Sequence, residues 1–247
     1  RCCNLVGVET FCDIMGDEDS QYKVEYLDAE DAPDEERLFT WVARAGRAKV
    51  TYDSGNSYEG CFNDEKQKHG LGKFVWMKPA EDDEEAKVLA TYEGEYKDGK
   101  KEGQGSMTYP SGDAFSGTWK ADKMHGVGLY KYKKTGDIYS GEYADGLKAG
   151  KGTYEFGKDS SRLDGVWEAG QFKTGDWQFK DAGSYAGGFD QGQPAGAGAF
   201  HFFTAGGVKI TQKGEYKAAV SPDPEAEVDA DAEPAVRTWH GIPVYAN

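Results

Sequence analysis

Residues 92–113 read YEGEYKDGKKEGQGSMTYPSGD, and a similar stretch begins again at Phe115 and once more at Tyr139. The shared pattern is aromatic-x-Gly-x-aromatic, a turn, Gly-x-Gly, alternating aromatic residues and a second turn. A sequence that returns at a nearly fixed period is typical of a repeat architecture. We therefore interpret the chain as an array of copies of one structural unit.

The array occupies residues 48–217 and contains six copies and a half copy. An acidic insert at 79–90 separates the first copy from the second. The fifth copy is degraded because it lacks the Gly-x-Gly pair. The copies begin at Tyr58, Tyr92, Phe115, Tyr139, Leu163 and Tyr185, and the half copy is 212–216.

Each copy alternates with a period of two residues, which predicts β-strands. Asp98-Gly99 and Asp145-Gly146 stand between two such runs, where a tight hairpin turn favours these residues. An isolated hairpin is marginally stable in water, so each hairpin needs its neighbours. The sequence predicts an all-β fold: an elongated, single-layered antiparallel β-ribbon, a meander of hairpins, with irregular termini.

One glycine per copy lies two residues after the first aromatic position. Because glycine has no side chain, we expect these positions to make room for the ring of the next hairpin to lie across the backbone. The predicted structural glycines are Gly60, Gly94, Gly117, Gly141, Gly165, Gly187 and Gly214.

The flanking segments have a different composition. Residues 1–47 hold 12 acidic and 5 basic side chains, and we predict strands at 21–27 and 38–50 within an N-terminal cap or docking arm. Residues 218–247 hold 6 acidic side chains and 1 basic side chain. This composition predicts an acidic flexible tether that leads to a Trp-bearing tail, which we interpret as an anchor.

The net charge of −15 argues against nucleic acid and against a membrane surface as partners, since both attract basic patches. Cys2, Cys3, Cys12 and Cys61 have no zinc-finger spacing, and we interpret them as free thiols. The longest apolar run is too short to span a bilayer.

The residues that could suggest a phosphate-binding, metal-binding or catalytic site have simpler explanations as parts of the repeat. The Gly-x-Gly pairs lack the flanking residues of a dinucleotide or phosphate loop, so we interpret them as structural. His69 and His125 take the same place in their copies and are expected to be surface residues rather than metal ligands. We predict no catalytic site, no metal and no cofactor, and hence no enzyme.

The copies between Lys49 and Lys217 resemble MORN repeats, whose hallmark is a Y-x-G-x-[YW] element followed by Gly-x-Gly. The resemblance implies a twisted antiparallel β-ribbon with a groove. The order of ordinary copies, a degenerate copy, a half copy, an acidic stretch and a Trp-bearing tail is also similar to the MORN subunits of ciliary radial spoke heads. That similarity implies an axonemal scaffold, in the cytoplasm and cytoskeleton of a cilium or flagellum, whose partners are other spoke-head subunits.

Aromatic residues beyond those needed for stacking within the ribbon are the preferred binding candidates, because rings are enriched at interface cores. Pure intramolecular stacking is the alternative for each ring. The candidate protein-binding residues are Trp119, Tyr130, Tyr132, Tyr143, Tyr154, Trp177 and Trp239.

Two other functions stay open. A stripe of lysines after the turns would suit a peripheral membrane adaptor that binds acidic phosphoinositides, although acidic residues interleave with them. A repeat module fused to a catalytic domain outside this sequence is a third hypothesis, and a homodimer is also left open. The stripe consists of Lys97, Lys100, Lys101, Lys120, Lys123, Lys131, Lys133, Lys134, Lys148 and Lys151.

Overall fold

A computed structural model describes residues 22–29, 33–79, 86–180, 183–204, 207–218 and 237–243. The chain divides into two compact units, the first ending at Gly99 and the second beginning at Lys100. The repeat pattern does not predict this boundary, which follows the Asp98-Gly99 turn of the second copy. Most of the acidic tether, the centre of the acidic insert, and Cys2, Cys3 and Cys12 lie outside the described residues.

In the first unit, the N-terminal segment adds strands to the edge of the repeat. β1 pairs with both β2 and β3, and β3, β4 and β5 each pair antiparallel with the next strand along the chain. The predicted strand at 38–50 is divided into β2 and β3 by an irregular stretch. The elements are β1 (Tyr22–Tyr26), a 3-10 turn (Leu27–Ala29), α1 (Asp34–Arg37), β2 (Leu38–Phe39), β3 (Gly46–Tyr52), β4 (Ser57–Phe62), β5 (Lys68–Lys78) and β6 (Lys87–Lys97).

In the second unit, each strand pairs antiparallel with the next one along the chain. The strands are β7 (Lys100–Thr108), β8 (Ala114–Lys120), β9 (Lys123–Lys131), β10 (Ile138–Ala144), β11 (Leu147–Glu155), β12 (Arg162–Glu168), β13 (Gln171–Phe179), β14 (Gly183–Asp190), β15 (Gln193–Phe203), β16 (Lys209–Ala218) and β17 (Arg237–Gly241). The predicted all-β meander of antiparallel hairpins is therefore confirmed.

The turns within the copies have the predicted backbone. Asp145 and Gly146 have φ angles of 49° and 87°, and Asp98 and Gly99 have 48° and 81°. Two consecutive positive φ angles are the signature of the type I′ turn, whose twist matches that of the flanking strands. Glycine at the second position adopts this conformation without steric cost.

One glycine from each strand of the second unit lies in register with the next, and we call this row the glycine ladder. The ladder residues are Gly105, Gly117, Gly128, Gly141, Gly152, Gly165, Gly175, Gly187, Gly198, Gly214 and Gly241. In the first unit Gly60, Gly72 and Gly94 are paired in the same way. All seven glycines singled out in the sequence belong to these rows.

The ring that covers each pair of ladder glycines belongs to the same hairpin, not to the next one as we expected. A Cβ added at Gly152 would lie 2.6 Å from Cζ of Tyr139, and one at Gly141 would lie 2.7 Å from the Tyr139 hydroxyl. The Tyr139 hydroxyl donates a hydrogen bond to the carbonyl of Glu142, 3.1 Å away. Phe115, which has no hydroxyl, covers Gly117 and Gly128 of its own hairpin in the same way. In the degraded fifth copy, where Leu163 replaces this ring, Phe172 covers the glycines instead.

In the second unit, the covering rings and the second aromatic residues of the copies form a continuous buried ring column. Tyr139 packs edge to face on Tyr143 within its own copy and on Trp167 of the next, with both centroid distances 5.2 Å. Edge-to-face packing is a favoured geometry for aromatic pairs. The second unit's ring column consists of Phe115, Trp119, Tyr139, Tyr143, Trp167, Phe172, Tyr185 and Phe189.

Candidate interaction surfaces

Two of the predicted binding residues are part of the repeat's own core. Trp119 and Tyr143 are each only 4% exposed, because they complete the ring column against Phe115. The indole N–H of Trp119 donates to the carbonyl of Gly105 at 3.1 Å. The expectation that these rings are left over to line a groove is corrected, since the second aromatic position of each copy is needed to separate successive covering rings.

The other predicted tyrosines line the end of the second unit where the loops between copies lie. Tyr132 contacts Tyr130 at 4.6 Å and Tyr154 at 5.8 Å between centroids, and all three rings are half-buried. Trp177 lies at the same end, where it packs on Phe179 at 4.9 Å. We call Tyr130, Tyr132, Tyr154 and Trp177 the loop-end rings.

Aspartates at the joins between copies hold two of the loop-end rings, Tyr130 and Tyr154, in place. One oxygen of Asp137 accepts a hydrogen bond from the Tyr154 hydroxyl at 2.6 Å, and the other accepts from the backbone N–H of Gly157 at 2.8 Å. Asp113 makes the same pair of contacts with Tyr130 and the N–H of Lys133. Burial, followed by the hydrogen bond to Asp137, raises the pKa of Tyr154. These tyrosines are therefore fixed and protonated over the physiological pH range.

Two lysines of the predicted stripe lie against the rings. The Lys148 ammonium is 4.5 Å from the ring centroid of Tyr154 and 5.0 Å from that of Trp167. Lys101 is 7% exposed, with its ammonium 5.0 Å from Trp119. Cations over ring faces are attracted by the ring quadrupole. These two side chains are not available for a lipid headgroup, and Lys123 is 3.6 Å from Asp145.

The free energy of unfolding of the wild type is expected to rise between about pH 8 and pH 10. Lys148→Met is expected to abolish this rise. Burial lowers the pKa of Lys148 to about 8 against the opposing charge of Asp137. Above that pH the folded side chain has lost its proton while the unfolded one, with its ordinary pKa near 10.5, retains it. The unfolded state then binds more protons, so the wild type gains up to about 1.4 kcal/mol per pH unit over the variant.

The measurement for this prediction is the free energy of unfolding of both proteins in urea at several pH values. Taking the difference between them cancels the titration of the tyrosines, which both proteins share. A difference that stays constant from pH 7 to pH 10 would show that attraction to the rings keeps the folded ammonium charged.

Four exposed apolar side chains of the second unit cluster where β15 ends and β16 begins. Phe203 is 64% exposed and Val208 is 63% exposed, while Phe202 is paired across the strands with Ile210. Phe202 stacks on Phe200 at 5.7 Å. We call these residues, Phe202, Phe203, Val208 and Ile210, the apolar tip. Our sequence interpretation missed it, although Phe202-Phe203 breaks the alternation and so must expose one ring.

A second apolar surface lies in the N-terminal segment of the first unit. A groove of about 730 Å³ is lined by Val24, Leu38, Phe39 and Trp41, together with charged residues such as Lys49. Trp41 is 55% exposed and Leu38 is 47% exposed. This groove falls in the segment that we expected to be a cap or docking arm, although we did not single out its residues.

Trp239, the last predicted binding residue, packs on its own chain. Its ring lies 4.9 Å from Phe200 and 5.1 Å from Tyr216, and it is half-buried. Strand β17 brings it there by pairing with β16. In this structure, Trp239 therefore attaches the tail to its own chain.

The described residues contain no group of three or more His, Cys, Asp or Glu side chains placed to hold a metal ion. Cys61 is a free, exposed thiol, and the His69 imidazole is exposed and 3.4 Å from Asp98. In the same part of the chain, no helix has the length and apolar character to cross a membrane.

The MORN repeat model matches the chain at residues 58–78, 92–114, 115–135 and 139–161. These matches coincide with the first four copies, so the chain contains MORN repeats. MORN repeats are a non-enzymatic repeat type associated with protein interaction or membrane binding. A comparison with curated proteins found no match.

Proposed function

We propose that this chain is a non-enzymatic scaffold subunit of a radial spoke head, located in the axoneme of a cilium or flagellum and needed for motility. The proposal rests on the sequence order of MORN copies, a degenerate copy, a half copy, an acidic stretch and a Trp-bearing tail. In such an assembly the repeats act as a spacer. Their surfaces dock other protein subunits.

The observation that carries the scaffold function is the apolar tip. Phe202, Phe203 and Val208 expose apolar area at one place, and Phe202 is stacked on the half-buried Phe200. The stack on Phe200 holds Phe202 in position, so little of its side-chain entropy is lost when a partner covers it. Exposed apolar side chains grouped at the end of one hairpin make this tip the candidate interaction site.

The charges favour a protein partner over a lipid surface. Lys101 and Lys148 lie against rings of the core, and the net charge of the chain is −15. An anionic membrane would repel most of the chain's charge. The repeat type is compatible with both functions, and the lysine contacts are what favour the first.

The proposal predicts that wild-type protein stays with detergent-extracted axonemes and leaves together with spoke-head subunits at high salt. Phe203→Asp places a charge in the apolar tip and is expected to lower the retained fraction at least tenfold, the loss expected for a hot-spot residue. Val127→Asp is the matched control, because Val127 is 66% exposed on the same unit but outside the tip. It should be retained like the wild type.

Recovery of the wild-type protein with the membrane fraction, followed by flotation on phosphoinositide vesicles, would refute the axonemal proposal. Equal retention of the wild type and both variants would instead show that the apolar tip is not the docking surface. Circular dichroism of the purified variants checks that neither substitution alters the fold.

A further inference from the structure

The last repeat is completed by a strand from elsewhere in the chain. The half copy supplies β16, and its pairing partner β17 follows after 18 intervening residues, 219–236. Gly241 of β17 pairs with Gly214 and so takes the place of the second ladder glycine. β17 thus supplies the strand that the half copy lacks.

The contacts of β17 reproduce those within an ordinary copy. A Cβ added at Gly214 would lie 2.6 Å from Cζ2 of Trp239, so the indole covers the ladder as Tyr139 does in its own copy. The indole N–H donates to Oε1 of Gln212 at 3.3 Å. The edge of β16 is therefore shaped to receive a strand that carries a ring two residues before a glycine.

Two further contacts fix the register of β17. The guanidinium of Arg237 donates to the backbone carbonyl of Asp190 at 2.8 Å and forms an ion pair with its carboxylate. At the other end the backbone N–H of Ile242 donates to the carbonyl of Lys213 at 2.7 Å. A shift by one residue would break both contacts and turn Trp239 to the opposite face.

The connection is far longer than this pairing needs. Ala218 pairs with Arg237, and two to five residues suffice for a hairpin loop between such positions. Residues 219–236 include six acidic and no basic side chains. Eighteen residues reach up to roughly 60 Å when extended. Covalent geometry therefore does not require β17 to pair with the β16 of its own chain.

We infer that the edge of β16 is a strand-acceptor site at which a second copy of this chain exchanges its β17 reciprocally, giving a two-fold symmetric dimer. The partner is a second copy because β17 itself meets every contact that the acceptor offers. Each exchanged strand makes the same contacts as in the single chain, so concentration decides between the two states. A tethered strand has an effective concentration in the millimolar range, and the exchanged dimer forms when the local protein concentration approaches that value.

The first experiment deletes residues 219–236, so that Arg237 follows Ala218 directly. Pairing within the chain would then force Ala218 and Arg237 into a two-residue loop with positive φ at both positions and would pull Arg237 from its contact with Asp190, so β17 pairs more favourably with another chain. Light scattering after gel filtration is expected to give twice the chain mass, with the tryptophan fluorescence of the wild type. In the control, a four-residue Asn-Gly-containing loop replaces 219–236 and should give a monomer. A folded, monomeric deletion variant would overturn the inference.

The second experiment keeps the natural connection and does not depend on the folding of the deletion variant. Glu215 and His240 are an exposed cross-strand pair. Chains carrying E215C and chains carrying H240C, with the four native cysteines changed to serine, are mixed and oxidised. A 215–240 disulfide between chains, located by mass spectrometry, is expected to increase with protein concentration. Its absence at millimolar concentration, while the doubly substituted chain oxidises within itself, would overturn the inference.

Discussion

Gly152→Ala is expected to lower the free energy of unfolding of the second unit by about 3 kcal/mol, the upper end of what overpacking a core costs. The added Cβ would lie 2.6 Å from Cζ of Tyr139, closer than carbon atoms approach. Tyr139 is fully buried between Tyr143 and Trp167, so its ring cannot move aside without displacing the column. Urea denaturation followed by circular dichroism measures the loss.

The matched control is Gly146→Ala in the turn of the same hairpin. Gly146 has a φ of 87° and nothing within 4 Å of an added Cβ, so only backbone strain of about 1 kcal/mol is expected. A double variant, Tyr139→Ala with Gly152→Ala, should cost less than the sum of its single changes, because the clash disappears with the ring. Strict additivity would refute the explanation that the ladder glycines make room for the ring.

The hairpins and their turns were predictable because their signals are local. Two strands of alternating residues around Asp145-Gly146 specify a type I′ hairpin with little help from the rest of the chain. Whether each ring covers the glycines of its own hairpin or those of the next one was not predictable in this way. Alternation places Tyr139 on the same face as Gly141, but it does not tell whether the ring leans along its own hairpin or toward the next. The hydroxyl of Tyr139 does not decide this, because Phe115 covers Gly117 and Gly128 of its own hairpin without one. Both copies share a bulge after the first glycine, a tertiary feature that the alternation does not show.

The packing of two lysines against the ring column was also not predicted, for a different reason. Taken alone, Lys101 and Lys148 follow a turn and look like solvent-exposed charges. The signal that reveals them lies in the other copies, where Met124 and Phe172 take the same position. An apolar residue at an equivalent repeat position indicates that the position faces the core, where a lysine can bury its aliphatic stem. Alternation places Phe202 of the apolar tip on the face of Phe200 and Phe203 on the opposite face, so it predicts exposure of Phe203. It does not show that Phe202 is exposed as well.

Trp167→Ala is expected to have the largest effect, a loss of about 4 kcal/mol in the free energy of unfolding of the second unit. Trp167 is 6% exposed and packs on Tyr139 and Phe172 at centroid distances of 5.2 and 5.1 Å. Its indole N–H donates to the carbonyl of ladder residue Gly152 at 3.0 Å. The substitution therefore opens a cavity in the ring column, leaves a buried carbonyl without its donor and removes one ring from beside Lys148.

Two variants separate these contributions. Trp167→Phe retains a ring in the column and loses the hydrogen bond to Gly152, so it should cost only about 1–2 kcal/mol. Phe203→Ala removes a ring of the apolar tip that is 64% exposed and should change the unfolding free energy by less than about 0.5 kcal/mol. If Trp167→Ala proved no worse than Phe203→Ala, the ring column would not be the core of the repeats. If the predicted order holds, the same copies use one set of rings for stability and leave Phe203 free to bind a partner, so that docking can be abolished without unfolding the scaffold.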